Sequence, residues 1–310
     1  MIKRLFELCG SLEKLAKVLA YSDKLPRERL KRIYHKLFLK KGVKTEVDEN
    51  LMERIFEWID SLGIKKGDIL IVHSSMEGLR KAAPDPKRII DYLLQLVGEE
   101  GTLVIPTFPV INLKYDKEKI PTYNPRRTLC WTGMIPNVFL GYSGVVRSQF
   151  PYNTLAAKGR LAEDMMHDNL LDDVPHGKNS AWAYCVNRHA KILYLGISIA
   201  ECNTVLHMGD DMLLDEWPIK NWYEEQTYKI KTDSEIITKE IKVCSPFWTK
   251  YNTCYNFNGK LKRYGYLSEH VIDGILVGYA PDSKEMMDYV IHQARIGKIR
   301  YRIPRKYWKA

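Results

Sequence analysis

Apolar residues recur along this chain with two periods. Positions 5, 8, 12, 15 and 19 form a helical stripe over residues 2–20, and residues 28–39 continue helically after Pro26. A third stripe, Leu51, Ile55, Ile59 and Leu62, ends at Gly63, with Thr45 or Asp48 as its cap. An α/β rhythm follows. Residues 68–72 form a short apolar strand, 86–97 a helix stopped by Gly98, and 102–105 a second strand closed by Pro106. Beyond a long loop over 109–131, the pattern predicts helices at 134–140 and 180–189 and a strand at 191–196. Residues 226–231 and 235–243 alternate apolar and polar around Thr232-Asp233-Ser234, which predicts a β-hairpin. A short strand at 275–279 and a helix at 282–295 close the series.

Buried strands alternating with helices imply an α/β protein, a three-layer α/β/α sandwich. The hairpin implies that the sheet is mixed, partly antiparallel. Two parts are expected: a basic helical extension over 1–44, and a catalytic domain over 45–310.

Charge sharpens this division. The net charge is +10 over 310 residues. Residues 1–50 hold 13 Lys/Arg against 7 Asp/Glu, and residues 295–310 hold 7 Lys/Arg and no acid, so the body between is mildly acidic. Basic ends are either solvated faces or contacts to a polyanion, an anionic surface or another copy of the chain. Oligomeric state is left open. The longest apolar runs fall short of a membrane span, and charges interrupt the first residues, against a secretory signal. Six scattered cysteines without a CxxC pair suit reduced thiols. A cytoplasmic protein is expected.

The sequence holds no GxGxxG, Walker loop, GxSxG or HExxH, and its eight histidines lack metal spacings. Three stretches carry candidate chemistry. In ILIVHSSMEGL, a buried strand delivers His73, Ser74 and Ser75 to its carboxyl end, where α/β folds place ligands; an ordinary Ser-rich turn reads the same way. Around RTLCWTGMIPNVFL, Thr132-Gly133 opens a helix whose free N–H groups suit an anion, and Arg147-Ser148 follows an apolar pair. In GISIAECNTVLHMGDDM, Asn203 and Thr204 are helix caps, placing His207 near a helix start with Asp210 and Asp211 on its face. A carboxylate beside an imidazole orients the ring and raises its basicity, as a general base needs. A histidine followed by acids is also common surface decoration.

Taken in order, GDILIVHSSMEGL, GEEGTLVIPTF, TGMIPNVF, VVRSQFP, NTLAAKG, LLDDVPHGKNS and ILYLGISIAECNTVLHMGD resemble the aminoglycoside 3-N-acetyltransferase (antibiotic acetyltransferase) family. The resemblance covers roughly residues 50–215, fades after about 220, and leaves 1–44 unexplained. It implies the antibiotic N-acetyltransferase-like fold, acetyl-CoA as cosubstrate, and His207 as catalytic base with a carboxylate partner, Asp210 or a more distal acid. The CoA arm is expected along His73, Ser74, Ser75 and Thr107, near Gly133, Met134, Arg147 and Ser148. Acceptor contacts are expected from Asn153, Asp172, Asp173, Asn203, Thr204 and Trp217, with no metal.

The departures concern the acceptor. Where the family commonly has His-Pro and His-Ser, this chain reads Phe150-Pro151-Tyr152-Asn153-Thr154, and residues 244–258 are rich in aromatics and cysteine. The expected reaction is direct acetyl transfer to an amine of an amino sugar, either an aminoglycoside or a nucleotide-linked sugar. The basic ends favour an amino sugar destined for a cell-surface glycan. The competing reading is a non-catalytic module on this fold that binds polyanions or a membrane surface.

Overall fold

The computed structural model describes residues 2–21, 47–48 and 50–309. Thr45 and the helix expected over 28–39 lie outside the described residues. Seven strands form a mixed central sheet: β1 Ile69–Ser74, β2 Thr102–Pro106, β4 Val146–Arg147, β5 Leu155–Gly159, β6 Lys191–Leu195, β9 Ser268–Ile272 and β10 Ile275–Ala280. Their order across the sheet is β4-β5-β2-β1-β6-β10-β9. β1 runs parallel to β2 and β6, so Ser74, Pro106 and Leu195 end on one edge. The four outer strands run antiparallel to their neighbours.

Strand alternation divides the core. Ile69, Ile71, Val104, Ile192 and Tyr194 face one layer, packed by Ala181–Asn187, Cys254–Arg263 and Ser283–Arg295. Leu70, Val72, Leu103, Ile105 and Leu193 face the other, packed by Leu51–Asp60, Pro86–Val97 and Met134–Phe139. This is the expected three-layer sandwich.

The expected hairpin is present as β7 Tyr223–Lys231 and β8 Ile236–Cys244, but it lies outside the central sheet. It pairs with β3 Thr122–Tyr123 in a separate three-stranded sheet, because Tyr228, Ile230, Ile241 and Val243 bury against Tyr123 and Phe150. The antiparallel character of the central sheet comes instead from β4, β5, β9 and β10.

The N-terminal stripe is also corrected. Two helices, Ile2–Leu8 and Gly10–Ala20, replace one, and Leu5, Leu8, Leu12, Leu15 and Leu19 are exposed. The packed side sets Phe6 against the Tyr255 ring and carries buried polar contacts. Glu13, fully buried, accepts from the backbone N–H groups of Tyr255 and Asn256 and so caps Cys254–Arg263. Gly10 sits so close to Asn256 that a Cβ there would fall 2.8 Å from its Oδ1. Among the described residues, no helix is long and apolar enough to cross a membrane.

Backbones meet most closely below the carboxyl edge of the sheet. A Cβ on Gly78 would stand 1.6 Å from the carbonyl oxygen of Gly196, which itself holds φ +68°. Gly78→Ala is expected to lower stability by ~3 kcal/mol, the upper end for overpacking, measured by urea denaturation. Glu13→Ala leaves two helix-start N–H groups without their acceptor, and is expected to cost ~1–3 kcal/mol in the same assay.

Candidate active site

The edge where β1, β2 and β6 end opens into a pocket of about 500 Å³. His73 and Ser74 enter from β1, Pro106 from β2 and Ile197 from the turn after β6. Glu201, Cys202, Thr204 and His207 descend from the short helix Ile199–Cys202 and the 3-10 turn Thr204–His207. Asn153, His176, Asp211, Ser245, Asn252 and Tyr301 are among the other residues of the wall.

Asn203 does not cap a helix. Its Oδ1 accepts from the Tyr194 hydroxyl and its Nδ2 donates to Asn258, so it anchors the turn to the core. The helix that carries the two acids is Met208–Asp211, and it follows His207 directly. That turn places the His207 ring on the pocket wall, with 31% of its side chain exposed.

His207 has two charged neighbours. Its Nδ1 lies 3.4 Å from Asp210 Oδ2, and Arg300 Nη2 donates to the same nitrogen at 2.6 Å. Arg300 also donates to both oxygens of Asp210, at 3.1 and 3.3 Å, and to the Tyr301 hydroxyl at 2.9 Å. Asp210 and Arg300 are both buried. Burial opposes the charge of Arg300, but the carboxylate of Asp210 overcomes it and holds the guanidinium protonated. The expected rise in His207 basicity is therefore reversed. Burial first, and the Arg300 charge second, lower its pKa despite Asp210.

Asp211 serves another ring. It accepts from His176 Nδ1 at 2.7 Å, from the His176 backbone N–H at 3.1 Å and from the Tyr223 hydroxyl at 3.2 Å. The His176 ring lies nearly parallel to His207, with centroids 5.5 Å apart, and its Nε2 is 3.5 Å from Asn153 Nδ2. Two imidazoles and two carboxylates thus form two adjacent pairs, with one arginine inserted into the first.

His73 is stacked on Tyr194 at 5.2 Å, and burial pushes its pKa down to about 3, so it is neutral. Its Nε2 and the Ser74 hydroxyl are buried polar atoms with no hydrogen-bond partner, both on residues lining the pocket. Ser75 instead caps the next turn, accepting from the Gly78 N–H. The Arg147 Nε donates to the Thr107 hydroxyl, and the guanidinium also donates to the carbonyls of Thr107 and Pro125; neither Thr107 nor Arg147 lines the pocket. Ser148 is buried and accepts from the Phe150 N–H. The Arg147 donors are taken by the Thr107 hydroxyl and by the carbonyls of Thr107, Pro125 and Thr128, and Arg147 is not among the residues lining this pocket. Thr132 lines the pocket, whereas Gly133 and Met134 are not among its lining residues, and Met134 is exposed.

Of the residues expected to contact the acceptor, Asn153 and Thr204 line the pocket. Asn153 holds φ +47°, and its carbonyl accepts from Trp182 Nε1. Asp172 accepts from Asn179, and Asp173 pairs with Lys239, both away from the lining. Trp217 is not a sugar platform. It is 2% exposed and packs with Trp222 at 4.9 Å inside an aromatic core. Cys202 donates to the Ser198 carbonyl, and burial, then Glu201, raise its pKa, so it is a thiol rather than a nucleophilic thiolate. Among the described residues, no group of three or more His, Cys, Asp and Glu side chains could hold a metal ion.

His176 lies in the VPHGKNS stretch and Arg300 in the basic end, and neither is legible in the sequence as part of a site. Nothing local marks either residue, because their partners lie 35 and 90 positions away. Other cations of that end are also engaged: Arg302 donates to Ser11 and Lys309 to the Asp215 carbonyl.

Comparison with known proteins gives this geometry a lineage. Aminoglycoside N(3)-acetyltransferase IX of Micromonospora chalcea is 28% identical over 171 residues, covering 51% of this chain and 60% of that protein. The chain thus spans about three-fifths of the length of that curated relative. The solved structure of AAC-IIIb in binary complex with CoASH has a TM-score of 0.66 at 19% identity, covering 81% of this chain and 97% of that one. A histidine-to-alanine mutant of AAC(3)-IVa in complex with a gentamicin also has a TM-score of 0.66, at 21% identity, covering 86% and 95%. These structures share the fold. The family model described as aminoglycoside 3-N-acetyltransferase matches residues 71–278, well over half of the sequence, and the chain belongs to that family.

Proposed function

We propose that this protein is an N-acetyltransferase that moves the acetyl group of acetyl-CoA directly to an amine of an amino sugar. The carrying observation is His207. It stands on the pocket wall, partly open to it, with Asp210 and Arg300 behind. Family membership and the CoA-bound relative support the cosubstrate. So do the unpartnered polar atoms of His73 and Ser74, which suit the amides and carbonyls of a thioester arm.

An amine attacks a thioester only when deprotonated, and direct transfer needs both substrates held together. In this reading His207 Nε2 accepts the amine proton while the N–C bond forms and the C–S bond breaks. The proton then passes to the departing thiolate. For that, the ring carries its own proton on Nδ1, toward Asp210. Arg300 donates to the same nitrogen and favours the other tautomer, so guanidinium and carboxylate compete for it. His176, locked by Asp211, backs the His207 ring from one face. The protein is read as acting in the cytoplasm, in a domain over 45–310, with the helices over 2–20 as an integral buttress.

His207→Ala is expected to reduce turnover ~10²–10⁴-fold in a thiol-release assay with acetyl-CoA, without loss of CoA binding. Turnover close to that of the unaltered protein would remove His207 from the mechanism. The pH profile supplies a second test. With its pKa lowered, His207 is a neutral base at and somewhat below its ordinary value of about 6.5. The acid limb of kcat/KM is therefore expected below that point. Arg300→Gln removes the cation and leaves Asp210, so the limb should move to higher pH. Arg300→Lys, which keeps the charge, should hold it nearer its original place. An unmoved limb in the glutamine variant would separate Arg300 from the titration.

A further inference from the structure

We propose that Tyr255, Asn258 and Lys262, on one face of the helix Cys254–Arg263, are positioning residues for His207, which they hold through the short segment in front of it. The proposal rests on the reading of His207 as the base.

The segment that delivers His207 to the pocket is too short to hold itself. The helix Ile199–Cys202 has four residues, and Ser198 before it makes no side-chain cap bond. A single helical turn is unstable in isolation. Glu201, Cys202, Thr204 and His207 all line the pocket, so play in this segment displaces the base. A misplacement of about 1 Å can cost ~10²-fold in rate. The rigidity has to come from outside the segment.

Cys254–Arg263 supplies it at three points. Residues 255, 258 and 262 are spaced i, i+3 and i+7 and share one helical face. The Tyr255 hydroxyl donates to Glu201 at 2.6 Å. Asn258 Oδ1 accepts from Asn203 Nδ2 at 2.8 Å. Lys262 donates to one oxygen of Glu269 at 3.0 Å, and the other oxygen accepts from the Ile199 backbone N–H at 3.0 Å. The start, middle and end of the segment are thus tied to one helix, the start through Glu269. Asn203 directly precedes the turn Thr204–His207.

The N-terminal helices fix this helix in turn. Glu13 caps it, Glu7 accepts from Lys262, and the Glu7 carbonyl accepts from Asn256 Nδ2 at 2.9 Å. Lys3 also reaches Glu201, but that pair is 59% and 46% exposed and contributes little. Lys262 and Glu269 are 23% and 15% exposed and Asn258 only 2%, so these three carry the weight.

A helix that merely stabilises the fold would make the same contacts, so the test must separate stability from placement. The double variant Tyr255→Phe/Lys262→Met removes two of the three ties and keeps the ring against Phe6. Hydrogen exchange on the full chain is expected to quicken about tenfold over residues 199–207 and to stay unchanged over β1. In thiol release, kcat is expected to fall ~10–100-fold with the KM for acetyl-CoA within about twofold. Asp210 and Arg300 are untouched, so the acid limb of kcat/KM should not move. Tyr255→Phe/Lys262→Arg, which keeps the charge, should restore most of the rate. Unchanged exchange over 199–207, exchange that rises equally over β1, or a rate loss that Lys262→Arg does not relieve would each overturn the proposal. His207→Ala, run alongside, separates the two readings. Full turnover of that variant removes His207 as the base and the positioning role with it, whereas an inactive His207→Ala beside a fully active double variant overturns the positioning role alone.

Discussion

The buried pair between Arg300 and Asp210 is the interaction on which the site depends. It joins a residue near one end of the chain to one on the helix Met208–Asp211. Removing either partner strands a charge in the interior, which typically costs ~3–5 kcal/mol. The pair also fixes the electrostatics of His207, because the same guanidinium nitrogen reaches Nδ1. A histidine beside an aspartate alone would be more basic than usual. Burial, and an arginine beside it, make His207 less basic than usual. The sign of that shift comes from burial first and from the three residues together second.

The sheet explains why these groups converge. Parallel β1, β2 and β6 end on one edge, where a tight approach of Gly78 to Gly196 brings the following turns together. The end of β1 brings His73 and Ser74, and the turn after β6 brings His207, to one pocket. The end of β8 in the separate three-stranded sheet adds Cys244 to its lining. The buried tryptophans Trp217, Trp222 and Trp248 lie in a neighbouring core with Tyr301, which follows Arg300. Packing of the aromatic cluster and placement of the arginine are thus one event.

The N-terminal helices have a similar double role. Glu13 supplies the cap that Cys254–Arg263 lacks in its own sequence, and Lys3 pairs with Glu201, a residue that lines the pocket. A helix read by its leucine stripe would be docked the wrong way round. Here the leucines are exposed, and a buried carboxylate with a close-packed glycine makes the contact. Specific polar contacts have overridden the usual orientation of an amphipathic helix.

Periodicity by itself determined the apolar strands β1, β2, β6 and β10, the helices Pro86–Val97 and Ser283–Arg295, and the hairpin, because each carries its own pattern and its own stops. It did not show β5, whose Leu155-Ala156-Ala157 lacks β-branched residues, nor polar edge strand β9, nor Cys254–Arg263, whose cap comes from Glu13. His207, Asp210, His73, Ser74, Asn153 and Thr204 were legible as candidates because short motifs surround them. Arg147, Trp217 and Asn203 looked functional by residue type, but packing turned each toward the interior. His176 and Arg300 entered only with the tertiary structure. Their chemistry comes from partners distant in sequence, and a one-dimensional pattern holds no record of which charges will be buried side by side.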